Sequence, residues 1–266
     1  MDARDKSPAD DAILLRQDTD GIARLTLNRP AARNALSVAL MDALQCALDA
    51  IARDDTVKVV VIGANGPGFC AGHDLREMRA NPGRQHYQAV FSQCARLMTG
   101  IVRLPKPVIA RVHGIATAAG CQLVASCDLA VASSAARFAT SGINLGLFCA
   151  TPAVAVTRNL SRKSAFELLF TGEFLSAERA CELGLVNRVV APEALDETVA
   201  ALARSLAAKP RDAVRAGKAL FYRQLGRPTA DAYVDAGAVM AANLSEADAI
   251  EGIDAFLEKR SPRWRG

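Results

Sequence analysis

Two stretches of small residues, each between an apolar run and a helix pattern, are the parts of this sequence best suited to chemistry. The first lies at residues 113–120 and joins a β-branched run at 108–112 to a helix predicted over 118–126. A helix that begins in Ala-Ala-Gly leaves backbone N–H groups unpaired, with little side-chain bulk over them. Such a start can bind an anion or a developing oxyanion. The small residues would equally suit a core helix that only packs closely.

The second stretch, residues 66–78, has the same layout and favours the chemical interpretation. It reads Gly-Pro-Gly-Phe-Cys-Ala-Gly-His-Asp-Leu-Arg-Glu-Met and follows a strand predicted over 57–62. Asp74 stands where a helix N-cap is expected. The backbone N–H of His73 could therefore face the same point as the N–H of Ala119. Two donors converging on one oxygen would polarise a carbonyl, most usefully that of a thioester.

These stretches and three other motifs together resemble the enoyl-CoA hydratase/isomerase (crotonase) superfamily. The similarity runs from about residue 13 to residue 256 and includes the motifs at 27–36, 69–75, 114–128, 171–172 and 180–187. It implies an α/β fold, a crotonase-like spiral of β-β-α repeats with a C-terminal helical extension. It also implies an acyl-CoA thioester as binding partner. Coenzyme A would then be part of the substrate, and no separate cofactor is expected.

The resemblance assigns roles to individual residues. His73 and Ala119 would supply the oxyanion-hole N–H groups. Many family members carry Ala at the position of His73, so its imidazole is open to two interpretations: an acid, base or donor, or a group that only lines the pocket. Asp74 also suits a helix cap. The residues predicted to bind substrate are Ala71, Gly72, Asp74, Leu75, Arg76 and Gly120.

Two catalytic positions depart from the family pattern. Hydratases of the family hold a water between two Glu side chains, and alignment puts Gln122 and Gly142 at those positions. A Gln amide can orient water but cannot exchange a proton at neutral pH, and Gly has no side chain. If each missing group costs ~10²- to 10⁴-fold, ordinary hydratase activity should be severely impaired.

Three functions therefore stay open at this stage. The first is an acyl-CoA enzyme that keeps the oxyanion hole without the hydratase carboxylates. The second is an acyl-CoA decarboxylase, because methylmalonyl-CoA decarboxylases of the superfamily share Ala-Gly-His-Asp at the first loop and Asn-Leu-Gly near the second site, as at 71–74 and 144–146 here. The third is a catalytically silent acyl-CoA-binding protein.

The elements that position these residues divide the chain into three parts. Residues 1–11 are predicted to be a disordered tail, 12–191 an α/β core, and 192–266 a helical trimerisation region. A hairpin is predicted around Asp20-Gly21, and helices over 37–53, 84–103, 193–208, 211–224, 229–244 and 247–259. The resemblance supplies the assembly, a homotrimer or a dimer of trimers.

Composition excludes several other classes. A net charge of +4 is too small and dispersed to indicate nucleic-acid binding. The seven scattered cysteines fit buried thiols in a reducing compartment, and the three histidines match no metal motif. No apolar run approaches the ~18 residues of a membrane span, and the N-terminus lacks signal-peptide character. The expectation is a cytoplasmic protein without a metal, membrane or nucleic-acid partner.

Overall fold

The computed structural model describes residues 12–265, so the predicted disordered tail at 1–11 lies outside the described residues. The strands are β1 (Leu14–Thr19), β2 (Ile22–Leu27), β3 (Val59–Ala64), β4 (Gly68–Cys70), β5 (Val108–Val112), β6 (Ile115–Thr117), β7 (Leu129–Ser133), β8 (Arg137–Ala139), β9 (Leu175–Ser176) and β10 (Arg188–Val190). The helices are α1 (Val38–Arg53), α2 (Leu75–Ala80), α3 (Arg84–Arg103), α4 (Ala119–Ser126), α5 (Ala150–Asn159), α6 (Arg162–Thr171), α7 (Ala177–Glu182), α8 (Leu195–Ala207), α9 (Arg211–Gln224), α10 (Thr229–Leu244) and α11 (Ala247–Leu257). Short 3-10 turns span Pro30–Ala32, Ser141–Leu145 and Pro192–Ala194.

The strands form two sheets. The larger has the order β1-β2-β3-β5-β7-β10, and the smaller has the order β4-β6-β8-β9. The predicted hairpin is confirmed: β1 and β2 pair antiparallel around Asp20-Gly21, whose φ angles of 52° and 75° suit a tight turn. From β2 to β10 the larger sheet is parallel, with Leu25 opposite Ile62 and Ile109 opposite Leu129. The chain passes from the larger to the smaller sheet after β3, β5 and β7, and the glycine-rich stretches at 66–78 and 113–120 begin at the first two of these crossings.

Helices α1 and α3 form because their apolar residues recur at helical spacing and their ends carry suitable signals. The Ser37 side chain accepts a hydrogen bond from Leu40 N, which confirms the predicted N-cap of α1. Leu40, Leu44 and Leu48 are fully buried on the face of α1 that meets the core. Helix α3 spans the predicted residues, Arg84–Arg103. Both helices cover the side of the larger sheet that faces the smaller one.

The cysteines differ in burial according to where they lie in the fold. Cys70, Cys94, Cys121, Cys127 and Cys149 are buried, and no disulfide is formed. Cys46 is exposed, which contradicts the expectation of buried thiols, because it lies on the outer face of α1. Within residues 12–265, no cluster of three or more metal-ligating side chains is found.

The four C-terminal helices differ in how they pack. Helix α8 buries Leu195 and Val199 against the larger sheet, beside Val61 and Ile109. Of the residues in α9, α10 and α11, only Ala255 is buried. Helix α8, which the sequence analysis assigns to the helical region, thus packs on the α/β core. The division between core and helical region at 191/192 stays a prediction. None of the helices described combines the length and the apolar character needed to cross a membrane.

Helix α9 is fixed to the core by a partly buried charged cluster. Lys218 Nζ lies 2.6 Å from Asp128 Oδ2 and also donates to the carbonyls of Ile101 and Lys106. The Tyr222 hydroxyl donates to Asp128 Oδ1 at 2.7 Å, and Asp128 Oδ2 also accepts from Val108 N. Burial lowers the pKa of Lys218, against the raising effect of Asp128. The cluster ties α9 to the end of α4 and the start of β5, the elements that flank the first glycine-rich turn.

Candidate active site

The two glycine-rich turns are in direct contact. Strand β4 leads into the turn at residues 71–74, β6 leads into the turn at Ala118, and the two strands pair in parallel. A Cβ added to Gly72 would lie 2.9 Å from Ala118 Cβ and 3.3 Å from Ala119 N. A Cβ added to Gly120 would lie only 2.1 Å from the carbonyl oxygen of Cys70. Glycine at 72 and 120 is therefore what lets the start of α4 lie against the turn that carries His73.

Two backbone donors at this contact have no partner. Within residues 12–265, the N–H groups of His73 and Ala119 donate no hydrogen bond. The neighbouring groups are used: Asp74 N donates to Leu36 O, and Ala118 N donates to Ala139 O. Both His73 and Ala119 line the same cavity. The arrangement can therefore present two unpaired donors to one carbonyl oxygen.

Ala118, just before α4, holds a strained backbone conformation. Its φ of 50° and ψ of −119° lie in a region that glycine adopts readily and alanine rarely. The turn is fixed by the hydrogen bond of Ala118 N to Ala139 O and by the contact of α4 with Cys70. We interpret the strain as the cost of directing the Ala119 N–H into the cavity.

Asn34 supports the turn that carries His73, a role that the sequence analysis missed. Its side chain is fully buried, and its Nδ2 donates to the carbonyls of Asn65 and Gly68 at 2.8 and 2.9 Å. Its Oδ1 accepts from Arg29 N at 2.9 Å. Asn34 has a φ of 54°, a conformation that Asn tolerates better than most residues, but the local sequence does not indicate the distant carbonyls that it binds.

The cavity has a volume of about 230 Å³ and a mainly apolar wall. The wall includes Leu75, Met78, Phe91, Leu145, Leu147, Phe148 and Pro152. The polar side chains are those of His73, Ser141, Cys149 and Thr151, and no charged side chain among residues 12–265 lines the cavity. Ser141 is held by a 2.8 Å hydrogen bond with Thr117. Such a wall suits an acyl chain that enters between the turns.

His73 is neutral in this setting. Burial lowers the pKa of its imidazole to about 4. Its ring meets the Phe91 ring edge to face at 5.3 Å, and Nε2 is buried without a partner in the part of the chain that the structure describes. At neutral pH the ring can therefore form a hydrogen bond with a ligand, but it is a poor source of a proton.

Of the two residues that replace the family's catalytic Glu side chains, Gly142 lines the cavity and Gln122 does not. Gly142 lines it, and a Cβ there would lie 2.6 Å from Leu147 O and 2.8 Å from Cys149 Sγ. Gln122 lies one turn into α4 on the side of Ala119, is 4% exposed, and is not part of the cavity wall. Its Oε1 lies 3.9 Å from Cys94 Sγ. The local packing thus leaves no room for a Glu side chain at 142.

The other predicted contacts lie in and beside the cavity. Ala71 and Leu75 line it, whereas Asp74 and Arg76 do not. Asp74 caps α2 through the N–H groups of Arg76 and Glu77 and pairs with Arg29 at 2.9 Å. Burial alone would raise the pKa of Asp74, but Arg29 and these N–H groups together outweigh it, so the pKa is lowered. Whether Asp74 and Arg76 contact substrate stays a prediction.

Comparison with known proteins places this geometry in a family. The sequence profile of the enoyl-CoA hydratase/isomerase family matches residues 17–266. This chain belongs to the enoyl-CoA hydratase/isomerase family. Human enoyl-CoA hydratase domain-containing protein 3, a mitochondrial protein, is 47% identical over 92% of this chain and 81% of its own length. The 2,3-dehydroadipyl-CoA hydratase of Escherichia coli is 34% identical over 91% of this chain and 94% of its own length.

Solved structures of the family confirm the fold. An enoyl-CoA hydratase of Mycobacterium smegmatis superposes with a TM-score of 0.95 at 58% identity, covering 96% of this chain and all of that one. The crystal structure of the human domain-containing protein 3 gives a TM-score of 0.93 at 46% identity, covering 95% of this chain and all of that one. The predicted crotonase-like α/β fold with a helical C-terminal region is therefore correct.

Proposed function

We propose that the protein is an acyl-CoA enzyme that polarises the thioester carbonyl between the N–H groups of His73 and Ala119. The observation that carries the proposal is that, among the residues described, two N–H groups without partners belong to residues that line one cavity. Donors fixed before the reaction stabilise the enolate oxygen without having to reorganise. The apolar wall would hold the acyl chain. The coenzyme A moiety, which is part of the substrate, would extend from the cavity into solvent.

Hydration is not the reaction that this cavity favours. Activation of a water needs a base, and none of the described side chains that line the cavity is a carboxylate. Burial lowers the pKa of His73 to about 4, so at neutral pH its ring is not the imidazolium that could protonate the α-carbon.

Decarboxylation of a malonyl-type thioester is the second candidate, and the retained donors without a carboxylate favour it. The bond between the α-carbon and the carboxylate breaks, CO₂ leaves, and the electron pair forms the thioester enolate. Solvent then supplies the proton to the α-carbon. This route requires stabilisation of the enolate oxygen and no base.

A panel of thioesters separates an enzyme from a silent binding protein. The purified protein is incubated with crotonyl-CoA, methylmalonyl-CoA and butyryl-CoA, and both product formation and the melting temperature are measured. We expect turnover of at least one thioester and an increase in melting temperature with those that bind. A melting temperature that rises without turnover of any of them would indicate a binding protein. If neither changes, the cavity is not an acyl-CoA site.

We also propose that the protein assembles as a homotrimer or a dimer of trimers. Helices α9 to α11 leave large apolar side chains in solvent, among them Tyr233, Val234, Met240, Phe256 and Leu257, which are 68–81% exposed. An apolar surface of this kind is typical of a subunit interface. Light scattering at micromolar concentration should give a mass three or six times that of the 28.1 kDa chain. A monomer mass would contradict the proposal.

Cytoplasmic location stays a prediction. The vertebrate relatives at 44–47% identity are named as mitochondrial proteins, whereas the bacterial 2,3-dehydroadipyl-CoA hydratase carries no such designation.

A further inference from the structure

A second cavity lies on the other face of the larger sheet, away from the acyl-CoA cavity. Helix α8 covers the start of this face through Leu195 and Val199, but the carboxyl ends of β2, β3 and β5 extend beyond it. The uncovered part forms a cavity of about 350 Å³, here called the sheet-face cavity. It shares no lining residue with the acyl-CoA cavity. Ligands of parallel sheets commonly bind at the carboxyl ends of strands.

Gly63 provides the space. It lies in the middle strand β3, opposite Thr26 of β2, and a Cβ built on it would lie 3.5 Å from Arg111 Cδ. An alanine would therefore make an ordinary contact, whereas a larger side chain would extend into the cavity. The absence of a side chain at 63 keeps Arg24 and Arg111 on the two sides of an open space.

The charges around the sheet-face cavity do not balance. Arg111 binds Asp196 through Nε and Nη2, at 2.5 and 3.0 Å, and these two charges offset each other. Arg24 also lines the cavity, and among residues 12–265 its guanidinium forms no hydrogen bond or ion pair. It is only partly exposed. The charges of Arg111 and of Arg24 both lower the pKa of Asp196, so two guanidinium groups share this one carboxylate. The excess of positive charge favours an anion in the cavity.

His113 adds an unsatisfied polar atom at the same place. Its Nε2 lies 2.9 Å from the carbonyl oxygen of Gly66, which can only accept, so Nε2 carries the proton. The Nδ1 atom of His113 is buried and has no partner among residues 12–265. Because Nε2 carries the proton, Nδ1 is an acceptor, so it can bind a water or the hydroxyl group of a hydrogen phosphate but does not donate to an anion.

We propose that the sheet-face cavity binds a small oxyanion, such as inorganic phosphate, on the guanidinium groups of Arg24 and Arg111. Guanidinium groups match the geometry of phosphate and carboxylate oxygens and form two hydrogen bonds to one group. The volume is at the lower end for ligand pockets and suits a small anion better than a nucleotide. The site would be independent of the thioester chemistry.

Calorimetric titration with sodium phosphate in a chloride buffer tests the proposal. We expect saturable binding at one site in the unmodified protein. Arg24→Met should weaken it by about tenfold or more, because a charge-assisted hydrogen-bond pair is lost. The phosphate affinity of Arg24→Lys should lie between those of the unmodified protein and Arg24→Met. Arg53→Met is the matched control: this exposed arginine precedes β3, at the opposite end of the strand from the cavity, and its loss should leave phosphate binding unchanged.

Gly63→Val provides an independent variant that fills the cavity and keeps both arginines. It should also weaken phosphate binding, and valine suits a strand position. Equal affinity in Arg24→Met and the unmodified protein, or no saturable binding in the unmodified protein, would overturn the proposal. The titration is repeated with saturating coenzyme A to separate free phosphate from the phosphates of that ligand. Unchanged affinity supports a separate anion site, and competition would assign the cavity to coenzyme A instead.

Discussion

Crotonyl-CoA should be hydrated by this protein orders of magnitude more slowly than by a family member that has both catalytic carboxylates. Gln122 and Gly142 stand at the two positions, and each missing acid–base group costs roughly 10²- to 10⁴-fold. None of the side chains that line the cavity is a carboxylate that could compensate. The measurement is the initial rate at which the absorbance of the conjugated thioester disappears, compared under identical conditions with an ordinary hydratase.

Partial restoration of the carboxylates refines this prediction. Gln122→Glu should raise the rate only modestly, since one carboxylate cannot both hold the water and return its proton. Gly142→Glu is not expected to complete the pair, because even its Cβ would lie 2.6 Å from Leu147 O. Gly142→Ala is the control for added bulk without a carboxylate. Its melting temperature should be lower than that of the unmodified protein, because its Cβ makes the same close contact with Leu147 O. Hydration by the unmodified protein at the rate of an ordinary hydratase would contradict the account, and His73→Ala would then show whether the imidazole replaces the carboxylates.

Gly120→Ala is expected to abolish most of the activity by displacing the start of α4. The new Cβ would lie 2.1 Å from Cys70 O and 2.8 Å from Cys70 C, and backbone atoms cannot move aside as a side chain can. Overpacking of this kind typically costs about 1–3 kcal/mol of stability. Movement of the Ala119 N–H away from His73 should reduce turnover by about 10²- to 10³-fold, as loss of one oxyanion donor does.

Gly217→Ala is the matched control for Gly120→Ala. Gly217 lies within α9, and a Cβ there would meet no atom within 4 Å. Alanine favours a helix over glycine by up to about 1 kcal/mol, so this variant should be as active as the unmodified protein and slightly more stable. If both variants keep full activity, the close approach of α4 to Cys70 has no role in the reaction.

The long elements could be predicted from the sequence because their patterns repeat. Helices α3, α9 and α10 have the predicted limits, set by apolar residues at helical spacing and by bounding Gly and Pro. Strands β4, β6 and β8 have three residues each, too short for an alternating pattern, and the smaller sheet was not predicted. The spiral arrangement came from the resemblance to the family.

The candidate site could be predicted where local sequence determines backbone geometry, and not where distant segments meet. The strand-glycine-helix pattern at both turns indicated the N–H groups of His73 and Ala119. The support from Asn34 depends on the carbonyls of Asn65 and Gly68, which no local pattern connects to it. The strain at Ala118 could not be predicted either, because alanine gives no signal for a positive φ.

The most direct test of the proposed oxyanion hole is the carbonyl stretching frequency of a bound thioester. Butyryl-CoA labelled with ¹³C at the carbonyl is compared by infrared difference spectroscopy in water, bound to the unmodified protein and bound to Gly120→Ala. Two hydrogen bonds from His73 N and Ala119 N should weaken the C=O bond, so the account predicts a lower frequency in the unmodified protein than in water, and a smaller decrease in the variant. A bound thioester whose carbonyl frequency equals or exceeds that in water would contradict the account.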